Sequence, residues 1–221
     1  MSAVELVFPI ICIVTRGRGA PESEERRRLT DRLAAAVRGG ANMIQVRERQ
    51  FDDRLLLQLV QDVAAIVRPE GAQVIVNERI DVALAAKADG VHLKSDSPGA
   101  ADVRRIVPPG FIIGRSVHSP EEAAAVETAG GCDYLVFGTV FPSTSKADDH
   151  PVAGLDALRR VCAATSLPVV AIGGMSPGRA GDVRAAGAAG VAAISLFAEA
   201  RDAGAAAAAL HDALTLPRGN V

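Results

Sequence analysis

Short apolar runs recur along the chain at residues 10–14, 43–46, 73–76, 90–93, 111–114, 133–137, 168–172 and 190–194. Between them lie longer stretches in which Ala and Leu mix with Arg, Glu and Asp, as at 24–38, 52–67, 120–129 and 155–164. The short runs are continuously apolar rather than alternating, the pattern of parallel strands covered on both faces. The longer stretches predict helices. Glycines at 39, 40, 71, 130, 131 and 187 stand where those helices should stop. The Ala-rich run 204–210 predicts a final helix that packs through small residues. Eight strand–helix units predict one α/β domain over residues 1–221, a single-domain (β/α)8 TIM barrel. An open doubly wound sheet fits less well, because it would not naturally use eight units and no G-x-G-x-x-G motif follows the first strand.

Composition supports a large aliphatic core. Hydrophobic residues make up 49% of the 221, only 3% are aromatic and there is no Trp, so Val, Ile, Leu and Ala must fill the interior. The 24 basic and 26 acidic residues nearly cancel, which removes the global basic field that polynucleotide binding would need. Cys12, Cys132 and Cys162 lie far apart in or beside apolar segments, without metal-ligand spacing, and are expected to be reduced structural thiols. The N-terminal region lacks the pattern of a secretory signal, and its apolar run 7–14 is too short to span a bilayer. No membrane association and a cytoplasmic location are the resulting expectations.

In a barrel the chemistry gathers at the carboxyl ends of the strands. After the sixth run, Gly138 permits a turn, and Ser143, Thr144, Ser145 and Lys146 then supply three hydroxyls and an ammonium, a collar suited to phosphate. Gly173 and Gly174 follow the seventh run, and Ile194 and Ser195 close the eighth. Small residues there would let backbone N–H groups approach an anion. After the second run, Gln45, Arg47 and Arg49 fall on one side by the two-residue strand period. Two guanidiniums at the mouth would suit a diphosphate, although a charged solvated loop reads the same way.

After the third run, Asn77 and Glu78 offer oxygen donors suited to Mg²⁺. The plainer reading has Asn77 capping a helix that begins at Glu78, whose charge complements the helix dipole. His92, inside the fourth run, reads more simply as a hydrogen-bonded core residue than as a catalyst, and Asp96 just beyond it is the second carboxylate for a metal. Ser116 and His118 have strand-alternate spacing after the fifth run and are expected to face the mouth jointly. A His there would exchange protons near neutral pH, or instead bond backbone at the start of the next helix.

Taken together, the runs 45–49, 77–79, 88–93, 116–118, 138–146, 171–174 and 190–195 resemble the thiamine phosphate synthase family, which includes a thiazole tautomerase branch. The resemblance covers nearly the whole chain in order. It implies coupling of an aminopyrimidine methyl diphosphate to a thiazole phosphate, with release of diphosphate and use of Mg²⁺. Carried over by position, it implies that Gln45, Arg47, Arg49, Asn77 and Ser116, with His92 beside them, hold the pyrimidine diphosphate. It sets Ser143, Thr144, Ser145 and Lys146 between the substrates, and Gly173, Gly174, Ile194 and Ser195 around the thiazole phosphate. Lys146 and Arg47 would then be catalytic.

The departures concern the metal. Synthases typically carry Asn-Asp where this chain has Asn77 and Glu78, and Lys where it has Arg49. An ungapped match puts Ser97 at the second metal-ligand position and Asp96 one residue early. The surroundings of Arg115 to Ser119 look more like the tautomerase branch, in which His118 would be the catalytic proton shuttle and no metal is needed. Synthase is the leading expectation, tautomerase the alternative, and an inactive thiazole phosphate-binding protein ranks lower. A Schiff-base aldolase is disfavoured because Lys87, Lys94 and Lys146 all lie outside the apolar runs. The expected partners are small phosphorylated precursors and no nucleic acid; a homodimer is compatible with the sequence but not fixed by it.

Overall fold

The computed structural model describes residues 4–16, 23–143 and 151–215. Eight parallel strands, β1 (Ile10–Val14), β2 (Met43–Val46), β3 (Gln73–Asn77), β4 (Gly90–Leu93), β5 (Ile112–Val117), β6 (Tyr134–Gly138), β7 (Val169–Ile172) and β8 (Gly190–Ala193), close into a barrel in chain order. β1 pairs with both β2 and β8. The helices are α1 (Ser23–Arg38), α2 (Asp53–Val67), α3 (Ile80–Ala85), α4 (Ala100–Arg104), α5 (Pro120–Ala129), α6 (Gly154–Ala163), α7 (Pro177–Ala185), α8 (Ser195–Ala198) and α9 (Ala203–Thr215). The predicted (β/α)8 barrel is the observed fold. One boundary differs usefully: β5 continues three residues past the expected end, because Leu93 pairs with Arg115 and Val136 with Ser116. Polar side chains hid that extension.

Both faces of each strand are buried, which explains the continuous apolar runs. Along β1, Ile10, Cys12 and Val14 join the barrel interior with Met43, Ile75, Ile112, Tyr134 and Val170. Ile11 and Ile13 join the outer layer, where Leu33, Leu59 and Leu210 of the helices meet the sheet. The three cysteines are free, and burial pushes the Cys12 and Cys132 thiols up to about 12 and that of Cys162 to about 11. They are structural thiols, as expected.

Polar side chains just before alternate strands help set the register. Asn42 accepts the Ile11 N–H at 2.9 Å, Asp89 that of Val74 at 2.7 Å, and Asp133 that of Ile113 at 2.6 Å. Arg68 and Arg104 neutralise the two carboxylates. At this amino-terminal face, Val4 and Leu6 pack onto the interior cluster and plug the barrel floor. The segment is tied down where Gln73 donates to the Glu5 carbonyl and Asn42 to those of Val7 and Pro9.

Nearer the opposite face the interior turns polar. His92 of β4 is buried between the Tyr134 hydroxyl, 3.3 Å from Nδ1, and Ser116 Oγ, 2.9 Å from Nε2. The Tyr134 ring fits because Gly114 lies beside it: a Cβ built on Gly114 would stand 2.1 Å from the ring. Gly114→Ala should therefore destabilise the barrel by about 1–3 kcal/mol through overpacking. Gly181→Ala, in α7 with open space around its Cβ position, should instead stabilise by about 0.5–1 kcal/mol. Urea denaturation of the two variants should give midpoints that move in opposite directions.

Burial, reinforced by Arg115, lowers the His92 pKa from 6.5 to about 4, so His92 is neutral at pH 7. Between those values the unfolded chain binds its proton more readily than the folded one. The His92 contribution is therefore intact above pH 6.5, is lost as pH falls towards 4, and levels off below that. The full loss is about 3 kcal/mol at most. Urea melts from pH 7 to pH 4 should show a shallower acid decline in His92→Asn than in the unsubstituted protein. Parallel declines would remove His92 as the cause.

Candidate active site at the barrel mouth

The carboxyl ends of β1 and β2 carry the basic part of the site. Gln45 is buried in the barrel, where its Nε2 donates to Asn77 Oδ1 at 2.9 Å. β2 ends at Val46, so Arg47 and Arg49 lie beyond it, the first half-buried and the second exposed. The Arg47 backbone N–H donates to the buried Thr15 Oγ1 at 2.9 Å, which pins the β2 exit to the β1 exit. Burial lowers the Arg47 pKa, and the nearby charges of Arg49 and Arg16 lower it further, against the opposing pull of Glu48 and Glu78. Three guanidiniums thus share one region, an arrangement that a polyanion would relieve. Arg16 was missed in the sequence reading, although it follows β1 as Arg47 follows β2.

Asn77 does not cap a helix. α3 begins at Ile80, preceded by Arg79 with no side-chain cap, and Arg79 pairs with Asp53 and Asp81. Instead Asn77 Nδ2 donates to Glu78 Oε2 at 3.2 Å. Glu78 adopts the left-handed conformation, φ 62°, with its N–H bonded to the His92 carbonyl. Its other carboxylate oxygen lies 2.9 Å from Lys94 Nζ, and Lys94 is also 3.5 Å from Asp96 Oδ1. The Glu78 hydrogen bond, before any other cause, raises the Lys94 pKa. Asp96 itself is exposed on the β4–α4 loop. Arg115 holds that loop by donating to the carbonyls of Ser95, Ser97 and Pro98, and Ser97 Oγ accepts the Lys94 N–H.

Among the described residues, no three His, Cys, Asp or Glu side chains gather as a metal cage. Mg²⁺ commonly needs only one or two carboxylates, with water and substrate phosphate completing its shell. Glu78 and Asp96, which flank one ammonium, fit that sparse donor set.

Ser116 belongs to β5 and points its hydroxyl to His92, whereas His118 follows the end of the strand and is exposed. The His118 backbone N–H donates to Glu122, while Ser119 Oγ caps α5 by accepting the Glu122 N–H. Ser116 is thus half-buried with its hydroxyl on His92, and His118 is exposed just past the strand end. Beyond β6, Thr139 is buried and Ser143 half-buried, while Thr144, Ser145 and Lys146 lie outside the described residues.

Gly173 and Gly174 both have left-handed backbones, φ 103° and 62°. A Cβ on the first would stand 2.4 Å from Thr139, and on the second 2.3 Å from the Pro142 carbonyl. The β6 and β7 exits therefore approach too closely for side chains. Arg179, stacked 4.7 Å over Phe141, donates to the Gly174 carbonyl and fixes this bend. β8 lies beside β7, with Ala192 paired to Ile172, so Ile194 and Ser195 emerge next to the glycine bend. Ser195 opens α8, whose first N–H groups have no partner within the helix.

Comparison with known proteins agrees with this geometry. The family model described as thiamine monophosphate synthase matches residues 12–197. A thiamine-phosphate synthase of Methanoculleus marisnigri is 47% identical over 199 residues, 90% of each chain. One of Methanocella arvoryzae is 44% identical over 194 residues, covering 88% of this chain and 87% of that one. The solved thiamine phosphate pyrophosphorylase of Pyrococcus furiosus superposes with a TM-score of 0.80 at 34% identity, covering 93% of this chain and 95% of its own. Strand order, mouth chemistry and these likenesses converge, and the chain belongs to the thiamine monophosphate synthase family.

Proposed function

We infer that this chain is a thiamine-phosphate synthase, joining aminopyrimidine methyl diphosphate to thiazole phosphate and releasing diphosphate. The observation that carries the reading is the division of one barrel mouth into two anion-suited halves. Guanidiniums of Arg16, Arg47 and Arg49 crowd the β1–β2 exits, and left-handed glycines with Ser195 occupy the β7–β8 exits. Relatives named thiamine-phosphate synthase, at 40–47% identity over most of the chain, favour this over the tautomerase.

In this reading Arg47 and Arg49 hold the diphosphate, and Gln45, Asn77 and Ser116 orient the pyrimidine below it. His92 stays neutral, so it adds no positive charge where a pyrimidine-stabilised carbocation would form. Gly173, Gly174, Ile194 and Ser195 hold the thiazole phosphate and aim the ring nitrogen at that carbon. The gain comes from orientation and from charge placed in advance around the leaving group. The resemblance assigns Lys146, with Ser143, Thr144 and Ser145, the role of contacting both substrates. Glu78 and Asp96 would hold Mg²⁺, which neutralises charge developing on the departing diphosphate. Ser97, already engaged with Lys94, is left out of that set. His118 has no step in the synthase reaction. A homodimer is compatible with the reading, which does not rest on one. It involves no nucleic acid or membrane, and among the described residues no helix is long and apolar enough to cross one. A cytoplasmic location belongs to the same proposal.

A product assay with both precursors tests the function: thiamine phosphate should form, and chelation should stop it. Conversion of the thiazole tautomer without coupling would replace the synthase by the tautomerase, and coupling indifferent to chelation would remove Mg²⁺. Arg47→Ala should lower kcat/KM by about 100-fold, roughly 3 kcal/mol in the barrier, the scale of losing one preorganised donor. Its melting temperature should change little. Unaltered kinetics in the folded variant would take Arg47 out of the site.

A further inference from the structure

We propose that Lys94 is an internal cation that competes with the divalent ion for the Glu78–Asp96 pair and so sets the metal affinity of this enzyme. The proposal rests on the Mg²⁺ reading above. Its ground is a geometry that the surrounding chain holds in place.

The ammonium lies 2.9 Å from Glu78 and 3.5 Å from Asp96, which places it between the two carboxylates. Each carboxylate is brought there independently. Glu78 is fixed by its left-handed backbone, by the hydrogen bond of its N–H to the His92 carbonyl, and by Asn77 on its second oxygen. Asp96 is carried on a loop tied by Arg115 through three carbonyls. Lys94 is itself anchored within that loop, where its N–H donates to Ser97 Oγ and its carbonyl accepts the Ser97 N–H. The ammonium is thus seated by the same turn that presents Asp96.

Mg²⁺ binds oxygen at about 2.0–2.1 Å and demands near-octahedral geometry. It cannot share the space between these oxygens with an ammonium, and repulsion between the two cations adds to the conflict. A divalent ion must therefore displace Lys94 before both carboxylates can ligate it. Lys94 has a flexible four-carbon stem and three rotatable donors, so it can swing aside. A diphosphate at the neighbouring guanidiniums would give the displaced ammonium a new anionic partner and the metal further oxygen ligands. In the free enzyme the ammonium keeps metal affinity low.

The test is direct Mn²⁺ binding to the substrate-free protein, followed by the electron paramagnetic resonance signal of free Mn²⁺. Lys94→Met keeps most of the stem and removes the charge, and Lys94→Ala removes both. Each should bind Mn²⁺ at least tenfold more tightly than the unsubstituted chain, with melting temperatures confirming the fold. Adding Glu78→Gln to Lys94→Met should abolish the gain. Equal or weaker Mn²⁺ binding in the folded Lys94 variants, including no binding in any protein, overturns the proposal. The underlying Mg²⁺ reading is judged separately by the metal dependence of coupling in the unsubstituted enzyme. Mg²⁺-dependent coupling with unaltered Mn²⁺ affinity in the Lys94 variants would sink the competition alone.

Discussion

One carboxamide links the interior of this barrel to its mouth. Asn77 accepts a hydrogen bond from the buried Gln45 and donates one to Glu78, which in turn meets Lys94. A side chain with only an acceptor or only a donor would break the thread at one end. Buried polar groups are costly when unpaired and mutually reinforcing when satisfied. The thread therefore fixes where the apolar core stops and where the first carboxylate of the mouth stands. Glu78 itself takes a backbone conformation that non-glycine residues seldom adopt, with its N–H held by the His92 carbonyl.

Polarity is graded along the barrel axis. Val4 and Leu6 close the floor, Ile10, Met43, Ile112 and Val170 belong to the apolar interior above it, and Gln45, Asn77, His92 and Ser116 form a hydrogen-bonded upper level. Guanidiniums and glycine turns then lie at the exits. Water and anions meet a favourable surface only at the last of these levels. Close backbone approach recurs there, where Gly173 and Gly174 leave no room for a Cβ.

The architecture was legible because strand burial on both faces writes itself as unbroken apolar runs. Seven of the eight expected strands ended within a residue of their observed limits. β5 did not, since Arg115 and Ser116 look like loop residues until their pairing with Leu93 of β4 and Val136 of β6 is known. Arg47 and Gln45 were legible from two-residue spacing at a strand end. The partnership of His92 with Tyr134 was not, because it joins residues 42 apart in sequence through the stagger of three adjacent strands. Glu78 misled for a related reason: an acidic residue before a helix ordinarily complements its dipole, and only the three-dimensional position of Lys94 shows the other partner. Arg115 likewise acts on carbonyls, which leave no mark on the amino-acid pattern.

The pairing of β1 with β8 has a consequence for how the chain reaches this state. Ile10 is aligned with Gly190, so the first strand completes its hydrogen bonds only with the last. Contacts of such separation are slow to form, since most of the chain's freedom must be surrendered before they repay it. During synthesis from the amino end, β1 waits with one edge bare until nearly the whole chain has emerged. A bare strand edge is a template for pairing with other molecules. The seam that makes the finished barrel edgeless is thus the one that leaves the growing chain most dependent on protection from its neighbours.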